Sequence, residues 1–63
     1  MEYFISKLAE VGSRQLLLIR DRVNPELYVS VYDSHTDSTL MRMCPCNKEN
    51  LLRGLALLDA ILA

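Results

Sequence analysis

Apolar and polar residues alternate through the middle of the chain, a pattern that predicts three β-strands. The segments at residues 15–23, 27–33 and 39–44 each place apolar side chains at every second position over much of their length. Asn24-Pro25-Glu26 separates the first two segments, and the turn-forming residues 34–38 separate the last two. Because both connections are short, we expect an antiparallel meander.

One register would sort all three strands into an apolar and a polar face. It places Val23 opposite Leu27 across the first turn and Asp33 opposite Thr39 across the second. The predicted apolar face comprises Leu17, Ile19, Val23, Leu27, Val29, Val31, Met41 and Met43. The predicted polar face comprises Leu18, Arg20, Arg22, Tyr28, Ser30, Tyr32, Leu40, Arg42 and Cys44.

The C-terminal segment predicts a helix over residues 48–62. Asn47 is a good N-cap residue, and Glu49 falls in the first turn, where the helix dipole favours an acid. Leucines then recur at helical spacing, and Gly54 and Ala56 fall on a less apolar side. A helix with so wide an apolar surface is expected to contact its own sheet and something else.

The N-terminal segment fits two structures. Phe4, Leu8 and Val11 match a helical face that would stop at Gly12, whereas Lys7 interrupts the alternation of a strand. The preferred prediction is a helix at residues 2–11, which gives a two-layer αβββα domain of the α+β class with both helices on one sheet face. The alternative is a four-stranded meander followed by one helix. Either way, residues 1–63 form a single small domain.

Composition adds an expectation about self-association. Of the 63 residues, 51% are hydrophobic, which argues against disorder because such a chain can offset the entropy of ordering. A domain of this size is nevertheless marginally stable by itself, so we expect a homodimer. The leucines Leu51, Leu55, Leu58 and Leu62 form the predicted dimer interface on the C-terminal helix.

Charge and targeting features predict a cytoplasmic protein. The formal net charge is −1, and the chain has no basic run. Residues 1–15 lack the features of a signal peptide, and the apolar segment at residues 51–63 is too short and too charged to span a bilayer. A disulfide between Cys44 and Cys46 would close a very small ring, so we expect free thiols in a reducing compartment.

The predicted polar face is the candidate binding surface, because it alternates arginine with tyrosine. Arg and Tyr anchor many protein interfaces, and the same groups can stack bases and neutralise phosphates. A protein partner is the preferred interpretation since acidic residues and the net charge oppose phosphate binding, and a nucleic-acid-binding regulator is the alternative. Ordinary cross-strand packing on a solvated sheet would explain the same pattern. The predicted binding residues are Arg20, Arg22, Tyr28, Tyr32 and Arg42, with Leu18 and Leu40 as apolar support.

Metal binding and catalysis are the weaker hypotheses. Cys44 and Cys46 are soft ligands, and two copies could bring four thiolates together in a metal-bridged dimer, but no second pair of cysteines accompanies them. His35 is the single histidine and falls in a predicted turn, and the chain has no phosphate-binding glycine loop. We therefore expect no catalytic residue, no cofactor and no resident metal.

The sequence as a whole predicts a small non-enzymatic protein that acts by binding another macromolecule. Adaptor, regulator and inhibitor are the roles that such a binding protein would fill. Its size also fits an accessory protein of a phage or mobile element, although no residue in the chain points specifically to that origin.

Overall fold

The computed structural model describes residues 3–59, which form a four-stranded antiparallel sheet followed by one helix. The strands are β1 (Tyr3–Val11), β2 (Arg14–Asp21), β3 (Leu27–Asp33) and β4 (Ser38–Pro45), and the helix α1 spans Lys48–Asp59. The strand order is β1-β2-β3-β4, so each strand pairs with its neighbours in sequence. The α+β class is confirmed, in the alternative arrangement of a meander plus a C-terminal helix.

The helix predicted at residues 2–11 is wrong, because β1 occupies this segment. Pairing between β1 and β2 shifts by one residue between Lys7 and Ala9, which makes Leu8 an extra residue in the strand. This extra residue interrupts the alternation of apolar and polar positions. Phe4, Leu8 and Val11 are therefore spaced by four and three residues, as they would be on one face of a helix. Gly12, with φ of 59°, then closes a tight hairpin onto β2 at a position where glycine is favoured.

The predicted register between β2 and β3 is also wrong. The two strands close at the pair Arg20↔Leu27 instead of Val23↔Leu27, so residues 21–26 lie outside the ladder between them. The amide of Val23 donates to the Asp21 carboxylate (3.0 Å), and the Val23 side chain is 91% exposed in the loop. The observed register differs from the predicted one by three residues. Because three is an odd number, Leu16 and Leu18, and not Leu17 and Ile19, lie on the same face of the sheet as Val29 and Val31.

The sheet therefore has two faces of different composition. Paired residues share a face, and Leu16 pairs with Val31 while Leu18 pairs with Val29. We call this side, which packs against α1, the covered face. The opposite side, here called the open face, carries Ile5, Leu17, Ile19, Tyr28 and Tyr32.

The register between β3 and β4 is close to the predicted one but irregular. Val31 pairs with Met41 as predicted, whereas Asp33 pairs with Ser38 instead of Thr39. An irregularity between Val31 and Tyr32 produces this change, and another between Val29 and Val31 brings Cys44 opposite Val29. Cys44 is consequently half-buried against the core while Met43 is exposed, the reverse of the prediction for both residues.

The core lies between the covered face and α1. It consists of Leu16, Val29, Val31, Met41 and Leu58. The helix begins as predicted, since the Asn47 side chain accepts a hydrogen bond from the Asn50 amide (2.9 Å). The prediction for Gly54 is wrong, because Gly54 is buried against the sheet. A Cβ atom on Gly54 would lie 2.6 Å from Leu16 Cδ1, so the missing side chain sets how closely α1 approaches the sheet.

A polar cluster fastens the end of the helix to the sheet. The Arg14 guanidinium donates to the Leu57 carbonyl in the last turns of α1 (2.6 Å) and lies 3.6 Å from the Asp33 carboxylate. The Ser13 hydroxyl donates to the same carboxylate (2.7 Å). Arg14 Nε is buried and has only the ion pair with Asp33, so the geometry of this cluster depends on that carboxylate.

Replacing Gly54 tests the close approach of helix and sheet. Gly54→Val should lower the free energy of unfolding by about 1–3 kcal/mol, because the new side chain overpacks the contact with Leu16. Ala56→Val, at an exposed position of the same helix, is the matched control and should cost less than about 1 kcal/mol. Urea unfolding followed by circular dichroism measures both, and equal losses would contradict the packing role.

Acid should weaken the polar cluster. The Ser13 hydroxyl, the amides of His35 and Thr36, and the Arg14 charge together hold the pKa of Asp33 below its ordinary value. A lowered pKa stabilises the fold above the unfolded-state pKa of about 3.9, and this contribution is lost as the pH falls through the folded-state pKa. Asp33→Asn should therefore remove part of the loss of stability below about pH 4. Urea midpoints measured across this range check it, and identical pH profiles for the two proteins would contradict it.

Candidate functional site

The predicted tyrosine and arginine surface is divided between the two sheet faces. Tyr28 and Tyr32 lie on the open face. Arg20 pairs with Leu27, and Leu18 pairs with Val29, so both belong to the covered face. The Arg20 guanidinium packs over the ring of Phe4, its partner on β1, at 5.2 Å from the ring centre. The odd shift of register therefore separates Arg20 from the tyrosines.

The other predicted binding residues lie elsewhere. Arg22 lies in the loop between β2 and β3. Leu40 and Arg42 line an open groove between β4 and the helix, here called the edge groove. Its lining is mostly apolar, with two arginines, and consists of Leu40, Met41, Arg42, Met43, Cys44, Arg53, Ala56 and Leu57. Of the five predicted aromatic and cationic anchors, the ladder thus places only the two tyrosines together on the open face.

An apolar row crosses the open face. Ile5 pairs with Ile19, and Ile19 pairs with Tyr28, so these three side chains stand side by side on adjacent strands. Leu17 extends the apolar surface in the next row, where it pairs with Lys7 and Ser30. Ile5 is 62% exposed, whereas Ile19 in the middle of the row is buried. No described element packs over this face, because the single helix lies on the other side.

Both tyrosine hydroxyls on the open face are bonded to acids. Tyr28 donates to Glu26 at 2.6 Å, and Tyr32 donates to Asp37 at 2.5 Å. These hydrogen bonds to carboxylates raise the pKa of each phenol above its ordinary value, and partial desolvation adds to the shift. Each tyrosine of the open face is therefore accompanied by a negative charge.

The sulfur and histidine candidates are not gathered into one site. The Cys44 thiol donates weakly to the Val29 carbonyl (3.6 Å), and Cys44 and Cys46 are both half-buried free thiols. His35 is exposed in the turn between β3 and β4. Within residues 3–59, no group of three or more His, Cys, Asp or Glu side chains is arranged to hold a metal ion.

The leucines predicted to form a dimer interface occupy different environments. Leu58 is 1% exposed in the core, and Leu51 packs against that core. Leu55 is exposed on the outer side of the helix, together with Leu52. Leu62 lies outside the described residues. The helix thus exposes Leu52 and Leu55 as an outer apolar surface, and of these two only Leu55 belongs to the predicted interface. A dimer through the helix remains a prediction.

The apolar row was missed at the sequence level. The predicted register puts Leu17 and Ile19 on the same face as Val29 and Val31, and the preferred prediction for the N-terminal segment puts Ile5 in a helix. The sequence signal for a strand here is the alternation of Tyr3, Ile5, Ala9 and Val11, which Lys7 interrupts.

Comparison with known protein families, with curated proteins and with solved structures finds no match to this chain. In the part of the chain that the structure describes, the helix falls short of the length and hydropathy needed to cross a membrane.

The bonds between tyrosines and acids can be measured by titration. Glu26→Gln should lower the pKa of Tyr28, because an amide stabilises the neutral phenol less than a carboxylate does. Asp37→Asn should do the same for Tyr32. Ultraviolet difference spectra recorded across the alkaline range follow phenol ionisation. Glu49→Gln, on the exposed first turn of the helix, is the control, and a curve unchanged by all three substitutions would contradict the bonds.

Proposed function

We propose that this chain is a non-enzymatic protein-binding protein that acts as a homodimer and contacts its partner through the open face. The observation that carries the proposal is the apolar row Ile5–Ile19–Tyr28 on the open face, where Ile5 is 62% exposed and no described element packs over the row. Burying one large aliphatic side chain contributes about 1.5–3 kcal/mol. Covering the exposed Ile5 side chain would therefore contribute to the affinity of a protein contact at this face.

The charges around the row favour one kind of partner. Glu26 and Asp37 hold negative charge at the two tyrosines, and Asp21 lies on the same face opposite Tyr3. Lys7 is the cation in the adjoining row, and it is paired with Glu10 at 3.2 Å. The complementary partner has an apolar centre and basic residues around it. Nucleic acid is disfavoured, because its phosphates would meet this acidic surround.

Binding fits the tyrosines better than catalysis does. General acid–base catalysis works best when the catalytic group has a pKa near the working pH. Hydrogen bonds to Glu26 and Asp37 raise the phenol pKa values further from neutrality. A tyrosine so held offers a rigid aromatic surface, which is the use that protein interfaces make of this residue.

The test compares two neighbouring residues of β3 that lie on opposite faces. Tyr28→Lys places a cation on the open face, and Leu27→Lys does the same on the covered side. We expect a basic partner, captured from cells that make this protein and then purified, to bind Tyr28→Lys about tenfold or more weakly than wild type. Leu27→Lys should bind like wild type, and titration calorimetry measures all three affinities.

Two results would contradict the proposal. One is equal loss of affinity in both variants while circular dichroism shows both to be folded, since the contact would then not be specific to the open face. The other is tight binding of single-stranded or duplex nucleic acid that weakens steeply with salt and depends on the arginines, which would favour the nucleic-acid-binding regulator.

A further inference from the structure

The strand β1 is the most exposed apolar element of the described chain. Phe4 is 51% exposed, Ile5 is 62% exposed and Leu8 is 47% exposed. As the first strand in the sheet order, β1 pairs with β2 on one side only. We call its other side the β1 edge. Half of the backbone amides and carbonyls of an edge strand point away from the sheet, where they can pair with another strand.

The apolar side chains of β1 lie on both faces of the sheet. Phe4 pairs with Arg20 and belongs to the covered side, whereas Ile5 pairs with Ile19 and belongs to the open side. A partner that docks on one face leaves the other residue in water. A strand added at the β1 edge contacts both residues at once, because its own side chains alternate between the same two faces.

The opposite edge of the sheet is protected against strand addition. The β4 ladder has two irregularities, and such bulges disturb the flat geometry that pairing needs. Pro45, at the end of β4, has no amide to donate. Arg42 lies near the middle of the strand, so a two-fold axis at that point would bring two arginines together. In contrast, β1 keeps one uninterrupted register from Tyr3 to Lys7.

We propose that β1 pairs with β1 of a second copy of this chain, antiparallel and across a two-fold axis, to form a continuous eight-stranded sheet. The inference rests on the homodimer of the proposed function, but not on its open-face contact. It assigns the dimer to the sheet edge, and the outer leucines of the helix are left without a role in it.

Charge favours a second copy as the occupant. Residues 3–6 carry no charge, and the Lys7 ammonium is already bound to Glu10 of its own strand. An axis at Ile5 places Phe4 opposite Ser6 of the second copy, and no like charges face one another. The axis stands perpendicular to the sheet, so both helices lie on one side and the two open faces join on the other.

The first experiment measures the molecular mass in solution at micromolar concentration by sedimentation equilibrium. Wild type should be a dimer. Phe4→Lys/Ile5→Lys should be a monomer, because edge lysines block strand addition. Leu52→Lys/Leu55→Lys removes the same number of exposed apolar residues from the helix and should remain a dimer. A monomeric wild type, a dimeric β1 variant or a monomeric helix variant would each overturn the proposal.

Each variant in the second experiment changes only one side chain of β1. In a Cys44→Ala/Cys46→Ala background, single cysteines replace Phe4, Ile5, Ser6 and Lys7 in turn. Residues that face each other at the axis have Cα atoms about 4.5–5.5 Å apart, within disulfide range. Ile5→Cys should therefore form a covalent dimer under mild oxidation far faster than Val23→Cys, which lies in an exposed loop.

The crosslinking pattern separates the possible failures. Fastest crosslinking at Phe4 or Ser6 would move the axis along the strand and leave the proposed dimer standing. If all four positions crosslink no faster than Val23→Cys, the β1 dimer is excluded. Because Tyr28 lies on a central strand, Tyr28→Lys should not change the dimer. Loss of partner binding with an intact dimer would therefore contradict the open-face contact alone. A monomer that still binds its partner would contradict the homodimer and leave the open-face contact standing.

Discussion

One helix has to cover a four-stranded sheet, and the rest of the structure follows from that limit. The helix packs closely because Gly54 has no side chain where it meets Leu16, and Arg14 holds its far end through the Leu57 carbonyl. This packing completes a small core on one side of the sheet. It leaves the apolar row of the open face and the β1 edge without a neighbour in the described chain, and both binding proposals concern those two surfaces.

Much of the fold could be predicted from local patterns. The Asn47 cap and the leucine spacing located the helix, and alternation located three strands and identified Val29, Val31 and Met41 as core residues. The prediction failed where one residue alters the phase of a pattern. Leu8 does so within β1, where the bulge made a strand resemble a helix. Gly54 was misplaced because a glycine reveals its role only when the surface that it contacts is known.

The candidate site was less predictable than the fold, because it depends on register. The turn-forming residues around Pro25 suggested a tight hairpin, whereas the ladder closes earlier and leaves a longer loop. An odd offset in register places the side chains of one strand on the opposite face relative to the next strand. Arg20, which was predicted to share a face with Tyr28 and Tyr32, is therefore separated from them. Nor could spacing reveal the ion pair between Arg14 and Asp33, which joins residues far apart in sequence. The two tyrosines of the predicted surface lie together on the open face, and the face that they share carries aliphatic residues of β1 and β2 instead of arginines.

The position of α1 after all four strands has a consequence for folding. A meander can assemble from neighbouring hairpins before the helix docks, since its contacts are local. The contact between Arg14 and Leu57 spans 43 residues and must wait for the helix. Until the helix docks, the sheet exposes both of its apolar surfaces and the edge of β1, so this interval is when the chain is most prone to misassembly.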